Sequence, residues 1–312
     1  MPEPDPSEHE PVALSERESK DAATRGPTSE APLAEREGNA SRTERPAASA
    51  GNTASAGRTI ALSLRERHLL RWEIIAVFAV SLGASGVYAF VSLIGSLTAR
   101  ASLHSQQVVL NGTQAPGRPL LDLFLQLVSL GSGVAPVLLV FYLLARSGEG
   151  ARGIGVDRSQ PWRDLGRGAG LAALIGFSGL GLYILAFKAG FNVNVVAESL
   201  PDVWWRIPVL LLSALENGLL EEVLVTGYLL TRLQKLGVRP VYAVAISATL
   251  RGSYHLYQGF GGFLGNAAMG VIFATLFLRW KRATPMIIAH TLIDATAFIG
   301  YALLVGHVSW LP

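Results

Sequence analysis

The chain has 312 residues, of which 50% are hydrophobic, 16% are charged and none is cysteine. Soluble domains carry about 25% charged residues, so this composition excludes a uniform soluble globule, and the lack of cysteine excludes disulfides, thiolate metal sites and a cysteine nucleophile. The net charge of +3 is the sum of −4 over residues 1–58 and +7 over the remainder. The basic residues of the remainder lie between apolar segments and form no single basic patch, which argues against a nucleic-acid-binding protein.

Residues 1–58 form a polar arm that is rich in Pro, Ser, Glu, Ala, Gly and Thr and has no aromatic residue. A segment of this composition buries too little apolar surface to offset its ordering entropy, so we predict that the arm is disordered. It is not predicted to be a signal peptide, because no apolar stretch follows a basic start near Met1. Residues 59–312 are predicted to form a transmembrane domain.

A series of apolar runs begins at Ile74, and a helix needs about 20 apolar residues to cross a bilayer. The run near 205–232 is long enough to bend or break at Asn217–Gly218, which would raise the number of spans from seven to eight. We therefore predict an all-α, polytopic transmembrane helix bundle of seven to eight spans in the lipid bilayer. The runs are 74–98, 119–145, 168–190, 205–232, 239–257, 260–279 and 284–306.

The loops predict the orientation of the bundle. Basic residues are concentrated before the first span and in the second, fourth and sixth loops, whereas the other loops carry few. Basic loops stay in the cytoplasm. The pattern predicts a multi-pass plasma-membrane protein with a cytoplasmic N-terminus, and the Ala-, Gly- and Arg-rich composition favours a bacterial source.

Ionisable side chains occur among the last four predicted spans, where apolar ones are expected. A charge at the bilayer centre costs from about 2.5 to more than 10 kcal/mol, so these side chains are expected to face the bundle interior and to pair or hold water. A satisfied hydrogen bond would explain one intramembrane histidine, but it is a poor explanation for seven ionisable residues. The seven are Glu216, Glu221, Glu222, Arg251, His255, His290 and Asp294.

Helical spacing is expected to bring several of these side chains together. Arg251 and His255 are four residues apart and share a predicted helix face, as do His290 and Asp294. An antiparallel hairpin of the fourth and fifth spans puts Glu222 at nearly the same depth as His255. A carboxylate and an imidazole at one depth, away from bulk water, can activate a water molecule or bind a metal.

Two polar residues in the apolar runs are predicted to be structural. Asn266, in the sixth span, is predicted to form a hydrogen bond between helices, because Gly261 and Gly265 have the spacing of a close helix contact. Asp122 lies near a span end, close to Arg118, and is predicted to be interfacial.

Three motifs resemble those of the CPBP family, the CAAX-protease and bacteriocin-processing intramembrane proteases. The first reads EEVLVTGYLL from Glu221, the second reads RGSYHLYQG around His255, and the third reads HTLID from His290 to Asp294. Each motif alone is weak, but their order, spacing and placement on separate late spans are specific together. The resemblance covers about 160–306, which we take as the protease core.

The resemblance implies hydrolysis of a peptide bond within the membrane, in a membrane-associated protein or peptide. It implies that Glu221 with His255 activates the attacking water and that Glu222 orients the site. It also implies that His290 and Asp294 stabilise the oxyanion or hold the substrate. Members are often labelled metalloproteases, so a zinc ion held by Glu221, His255 and His290 stays open beside a metal-free mechanism, although the chain has no HExxH motif.

Two positions depart from the motifs of the family. Thr226 stands where the first motif has Arg, and Arg251 stands where the second has Phe. Because a guanidinium inside a membrane needs an acidic partner, we predict that Arg251 supports the site through an ion pair with Glu222. The positive charge is then supplied from a different helix.

Two functions other than proteolysis stay open. A non-proteolytic membrane protein of the same fold, such as a bacteriocin self-immunity or anchoring factor, is consistent with the departure at Thr226. A proton-coupled transporter would use Glu221, Glu222 and His255 as a relay, but the chain has no evident inverted repeat and no matched pair of broken helices. Cleavage that depends on Glu221 would separate the protease from both.

Overall fold

The computed structural model describes residues 62–307, so the predicted disordered arm lies outside the described residues. Within this range the chain is mostly helical, with short 3₁₀ turns in the loops. The helices are α1 (Leu64–Ala79), α2 (Leu82–Thr98), α3 (Pro119–Arg146), α4 (Pro161–Lys188), α5 (Arg206–Glu221), α6 (Leu229–Lys235), α7 (Pro240–Ser253), α8 (Phe260–Trp280) and α9 (Thr284–Leu304); the strands are β1 (Gln107–Gly112) and β2 (Asn194–Ser199).

The all-α membrane fold class is confirmed, but the predicted number of spans is too high. Among the described helices, α3, α4, α8 and α9 are long and apolar enough to cross a membrane, and α1 with α2 makes a fifth if the pair, bent by 51°, counts as one span. The predicted number is higher because the fourth and fifth apolar runs, 205–232 and 239–257, do not form single helices that are long and apolar enough. A π-helical segment separates α5 from α6, and α7 has only 14 residues.

The predicted break at Asn217–Gly218 is wrong, because the chain is helical without interruption from α5 through α6. Gly218 instead permits close packing on α9, where a Cβ would collide with Thr291 Oγ1. The irregularity comes later, as the π-helical segment Glu222–Tyr228. π-Helical turns are rare and occur frequently at functional sites.

A two-stranded parallel sheet, which the sequence analysis did not predict, joins two loops of the bundle. Gln107 of β1 lies opposite Asn194 of β2. The outer edge of β2 is covered by α4, since the N–H of Val195 donates to the hydroxyl of Tyr183 at 3.1 Å. Each strand has only six residues, and the two are far apart in sequence. Their hydrophobic pattern is therefore too short to be distinguished from that of a loop.

A group of ion pairs fixes the start of α9. The Arg282 guanidinium donates to the buried carboxylate of Asp164 at 2.6 Å and to Asp157 at 3.0 Å. Hydrogen bonds from Arg282 and Ser159 hold the pKa of Asp157 well below its usual range. Arg282, just before α9, is thereby tied to the loop between α3 and α4 and to the first turn of α4, at the start of the helix that carries His290.

The orientation of the bundle stays a prediction, and cysteine labelling tests it. The chain has no cysteine, so single cysteines can be introduced without background. In intact cells, Arg158→Cys in the basic second loop should be shielded from an impermeant thiol reagent, and Ser105→Cys in the first loop should be labelled. Both positions are exposed, so permeabilised cells should label both equally. The reverse pattern in intact cells would contradict a cytoplasmic N-terminus.

Candidate active site

Glu221 and Glu222 lie where α5 meets the π-helical segment, and both side chains are buried. Adjacent residues on an ordinary helix point about 100° apart, so the sequence predicts only that at least one of them faces inward. In the structure Glu221 contacts the turn after α7, and Glu222 contacts both α7 and α9. The two carboxylates therefore join three helices at one point in the bundle.

The two oxygens of the Glu221 carboxylate have different neighbours. Oε2 accepts a hydrogen bond from the hydroxyl of Tyr254 at 2.8 Å and lies 3.3 Å from Nη1 of Arg251. Oε1 lies 3.5 Å from Nε2 of His255, and this buried nitrogen has no hydrogen-bond partner among the described residues. Oε2 thus receives a hydrogen bond from Tyr254 and an ion pair from Arg251, while Oε1 faces an imidazole across a gap wider than a good direct hydrogen bond.

His255 reaches Glu221 by a route that differs from the predicted one. α7 ends at Ser253, so His255 follows the helix and does not share a helical face with Arg251. The chain must reverse here to begin α8, and Gly259 makes this reversal possible with a φ of +99°, where glycine is favoured. The histidine is therefore placed by a turn.

Glu222 is completely buried and is surrounded by three donors. Nη2 of Arg251 lies 2.5 Å from Oε1, and Nδ1 of His290 lies 2.8 Å from the same oxygen. The hydroxyl of Thr226, one turn along the chain, donates to Oε2 at 2.7 Å. The predicted Arg251–Glu222 ion pair is confirmed, and Thr226 binds the same carboxylate as a neutral donor.

His290 and Asp294 share one face of α9, as their spacing predicts. Nε2 of His290 lies 3.7 Å from Oδ1 of Asp294, and the amide of Asn217 on α5 donates to Oδ2 at 2.9 Å. The five predicted catalytic residues and Arg251 are therefore linked by contacts into one group, of which His255 and Asp294 are partly exposed and the rest buried, hereafter the Glu221 cluster.

Two residues of this neighbourhood were missed by sequence reasoning. Tyr254 directly precedes His255 in the second motif, and Asn217 precedes Glu221 by about one helical turn. Both residues lie in or next to the motifs in the sequence. Hydroxyl and amide side chains are common in membrane helices, however, so the residue type alone does not indicate a role in the site. Glu216, whose role the sequence leaves ambiguous, packs against α3.

The two polar residues predicted to be structural have different partners from those expected. The amide of Asn266 donates to the carbonyl of Gly262 at 3.0 Å, within its own helix, so the predicted bond between helices is wrong. Asp122 is fully buried in the first turn of α3, and it accepts hydrogen bonds from the Thr113 hydroxyl and the Gln114 N–H. Asp122 closes the loop that precedes α3.

Comparison with known families gives one match, and it covers the segment that carries the Glu221 cluster. Residues 203–296 match the family model described as Type II CAAX prenyl endopeptidase Rce1-like. This segment of the chain is similar to the Rce1-like family. The match confirms the resemblance to the CPBP family, and at the family level it supports a CAAX-type intramembrane protease. No curated protein and no solved structure matches the chain.

The family match does not support the prediction of a metalloprotease, and the charges of the Rce1-like site oppose a resident metal. Donor atoms of Glu221, Glu222 and His290 lie within 4.8 Å of one another, a set that contains Glu222 in place of the predicted His255. However, the Arg251 guanidinium lies 2.5 and 3.3 Å from the two glutamates. It is permanently charged and would repel a cation bound there. The residues present therefore do not fit a zinc ion.

Proposed function

We propose that this protein is a metal-free intramembrane endopeptidase in which Glu221 is the general base and His255 helps to hold the attacking water. The observation that carries the proposal is the asymmetry of the Glu221 carboxylate. Tyr254 donates a hydrogen bond to Oε2, which also pairs with the Arg251 charge, and Oε1 faces Nε2 of His255 at 3.5 Å. A general base must reach the proton that it removes directly or through one water, and a water beside this pair, within hydrogen-bond distance of both atoms, would meet that requirement.

The proposed reaction uses the remaining residues to stabilise charge. Water attacks the carbonyl carbon of the peptide bond as its proton passes to Oε1 of Glu221, and the carbonyl oxygen becomes an oxyanion. His290 is the candidate donor to this oxygen, because Glu222 fixes its Nδ1 while its Nε2 lies 3.7 Å from Asp294, open to a further partner. The carbon–nitrogen bond then breaks, and Glu221 returns the proton to the leaving nitrogen.

Arg251 weakens the argument for a non-proteolytic relative. That alternative rests on Thr226, which stands where the family has a positive charge. In this chain the guanidinium of Arg251 binds the same glutamate from α7, so a positive charge is present beside the catalytic carboxylates. We propose that the substrate is a membrane-associated protein or peptide, as for the CAAX-type family.

A comparison of protein termini tests the function. Membrane proteins are isolated from cells that produce either the natural chain or Glu221→Gln at matched levels. We expect new termini only with the natural chain, and a peptide spanning such a terminus should be cleaved by purified protein in liposomes. Identical termini in both cultures, together with no cleavage of membrane peptides, would contradict the proposal.

Removal of metal ions should leave cleavage unchanged, because Arg251 already supplies the positive charge next to both glutamates. The measurement is the cleavage rate in liposomes before and after treatment with a strong chelator, with elemental analysis of the purified protein. A known zinc protease in the same buffer is the control for effective chelation. Loss of activity that zinc restores would overturn the metal-free mechanism.

A further inference from the structure

A cavity of about 400 Å³ adjoins the Glu221 cluster. Its inner wall is formed by Tyr254, whose hydroxyl binds Glu221, and by Tyr257, whose ring stacks against His255 with the ring centres 6.4 Å apart. Two lining residues of the cavity therefore contact the two residues that are proposed to activate water. The other lining residues, from α2 and β1, are Ser85, Tyr88, Ala89, Ser92 and Val108.

Strand β1, which contributes Val108 to the cavity, has one unpaired edge in the described part of the chain. The carbonyl of Gln106 accepts from the N–H of Asn194 at 2.8 Å, so every second residue from Gln106 directs its backbone groups towards β2. The backbone groups at 107, 109 and 111 consequently point to the opposite edge, where the sheet has no further strand among the described residues.

An unpaired strand edge is a template for another extended chain, because its free N–H and C=O groups can pair with a partner strand. A peptide that pairs with β1 presents its side chains alternately on the two faces of the sheet. The residue beside Val108, on the same face, would point into the cavity. A peptide bound there lies next to Tyr254, whose hydroxyl donates to Glu221, and is thus separated from the glutamate by one side chain.

We propose that the free edge of β1 and this cavity form the substrate-docking site. An extended polypeptide segment adds to β1 as a third strand, and one of its side chains fills the cavity beside Tyr254. The inference rests on the proposed endopeptidase function and specifies how its substrate binds. The occupant is a substrate peptide and not a second copy of the chain, because two lining residues, Tyr254 and Tyr257, contact Glu221 and His255 directly.

The lining of the cavity defines which side chain it takes. None of its seven residues carries a formal charge, while two serine hydroxyls and three tyrosines supply polar edges. A charged side chain would lose its hydration there without gaining an ionic partner. The site therefore selects an uncharged side chain at one position of the substrate, and it recognises the rest of the segment through its backbone.

Methylation of substrate backbone nitrogens tests strand addition without altering the protein. The probe is a peptide that spans a Glu221-dependent cleavage site, methylated at one backbone nitrogen at a time. We expect kcat/KM to fall by about fivefold, the value of one net hydrogen bond, at every second position on one side of the cleaved bond, with little change between them. Losses that do not alternate would overturn strand addition.

Two tryptophan substitutions on α2 test the cavity. Ser92 lines it, whereas the neighbouring Val91 is also exposed but does not, so Val91→Trp is the matched control. Ser92→Trp should lower kcat/KM on the order of tenfold for a peptide with a large side chain at the cavity position and much less for its alanine variant. Val91→Trp should affect neither peptide.

The outcomes separate docking from catalysis. If Glu221→Gln cleaves the probe peptide as fast as the natural chain, the proposed function fails. If cleavage depends on Glu221 but Ser92→Trp and Val91→Trp behave alike for both peptides, the cavity is not the side-chain pocket and the docking proposal alone is overturned.

Discussion

Replacement of Glu221 by glutamine should reduce the cleavage rate by about 10²-fold or more, because an amide oxygen keeps the shape of the carboxylate but cannot accept the proton of the attacking water. His255→Ala and His290→Ala should each cause a comparable loss, since the first removes the group facing Oε1 and the second removes the candidate oxyanion donor. The measurement is the rate of peptide cleavage by purified protein in liposomes.

Controls at two polar residues outside the Glu221 cluster separate catalysis from folding. Asn266→Ala removes only a hydrogen bond within α8, and Asp122→Asn retains an oxygen that can accept from the loop before α3. Both variants should keep most of the activity. Thermal unfolding and size-exclusion profiles should show that Glu221→Gln folds as these controls do. Normal cleavage by Glu221→Gln at matched expression would show that Glu221 is not the base.

The sequence identified much of the site because ionisable residues are costly in a membrane. This cost predicted that the acids and histidines of three distant motifs would face one another, and their contacts in the structure agree. It also predicted the partner of Arg251, since a guanidinium cannot lose its charge and needs an acid within reach. In both cases the free-energy cost of an unpaired charge in a membrane is large, so few arrangements of the side chains are possible.

Backbone features of the site were not predictable in the same way. The π-helical segment after Glu221, the turn that carries His255 and the β1–β2 pair each depend on tertiary contacts between segments far apart in sequence. Their local sequences are compatible with an ordinary helix or loop, so periodicity carries no signal. The direction of each glutamate and the role of Tyr254 follow from these features and became visible only in the structure.

Arg251→Phe alone should inactivate or strongly destabilise the protein, although it restores the residue that the family has at this position. Arg251 is completely buried and lies 2.5 Å from Glu222 and 3.3 Å from Glu221. Removal of one member of a buried ion pair costs about 3–5 kcal/mol, because the other charge is left without a partner. Cleavage rate and thermal unfolding of the purified variant measure both consequences.

Addition of Thr226→Arg to Arg251→Phe should recover part of this loss. The Thr226 hydroxyl lies 2.7 Å from Oε2 of Glu222, so an arginine at this position can bring its guanidinium to the same carboxylate. It would use the space that the Arg251 guanidinium leaves empty in Arg251→Phe. Thr226→Arg alone should be harmful, since it introduces a second cation beside Arg251. The two changes should therefore be strongly non-additive, as expected for residues that share one partner.

The double variant decides what the site requires of Arg251. If activity returns, the site requires a positive charge beside Glu222, and either helix can supply it. The arginine at position 251 then compensates for the arginine that is absent at position 226. If the double variant is no better than Arg251→Phe, the position of the guanidinium on α7 matters, because from there it also contacts Glu221 and fixes Oε2. Full activity of Arg251→Phe alone would contradict both explanations, since neither glutamate would then need the ion pair.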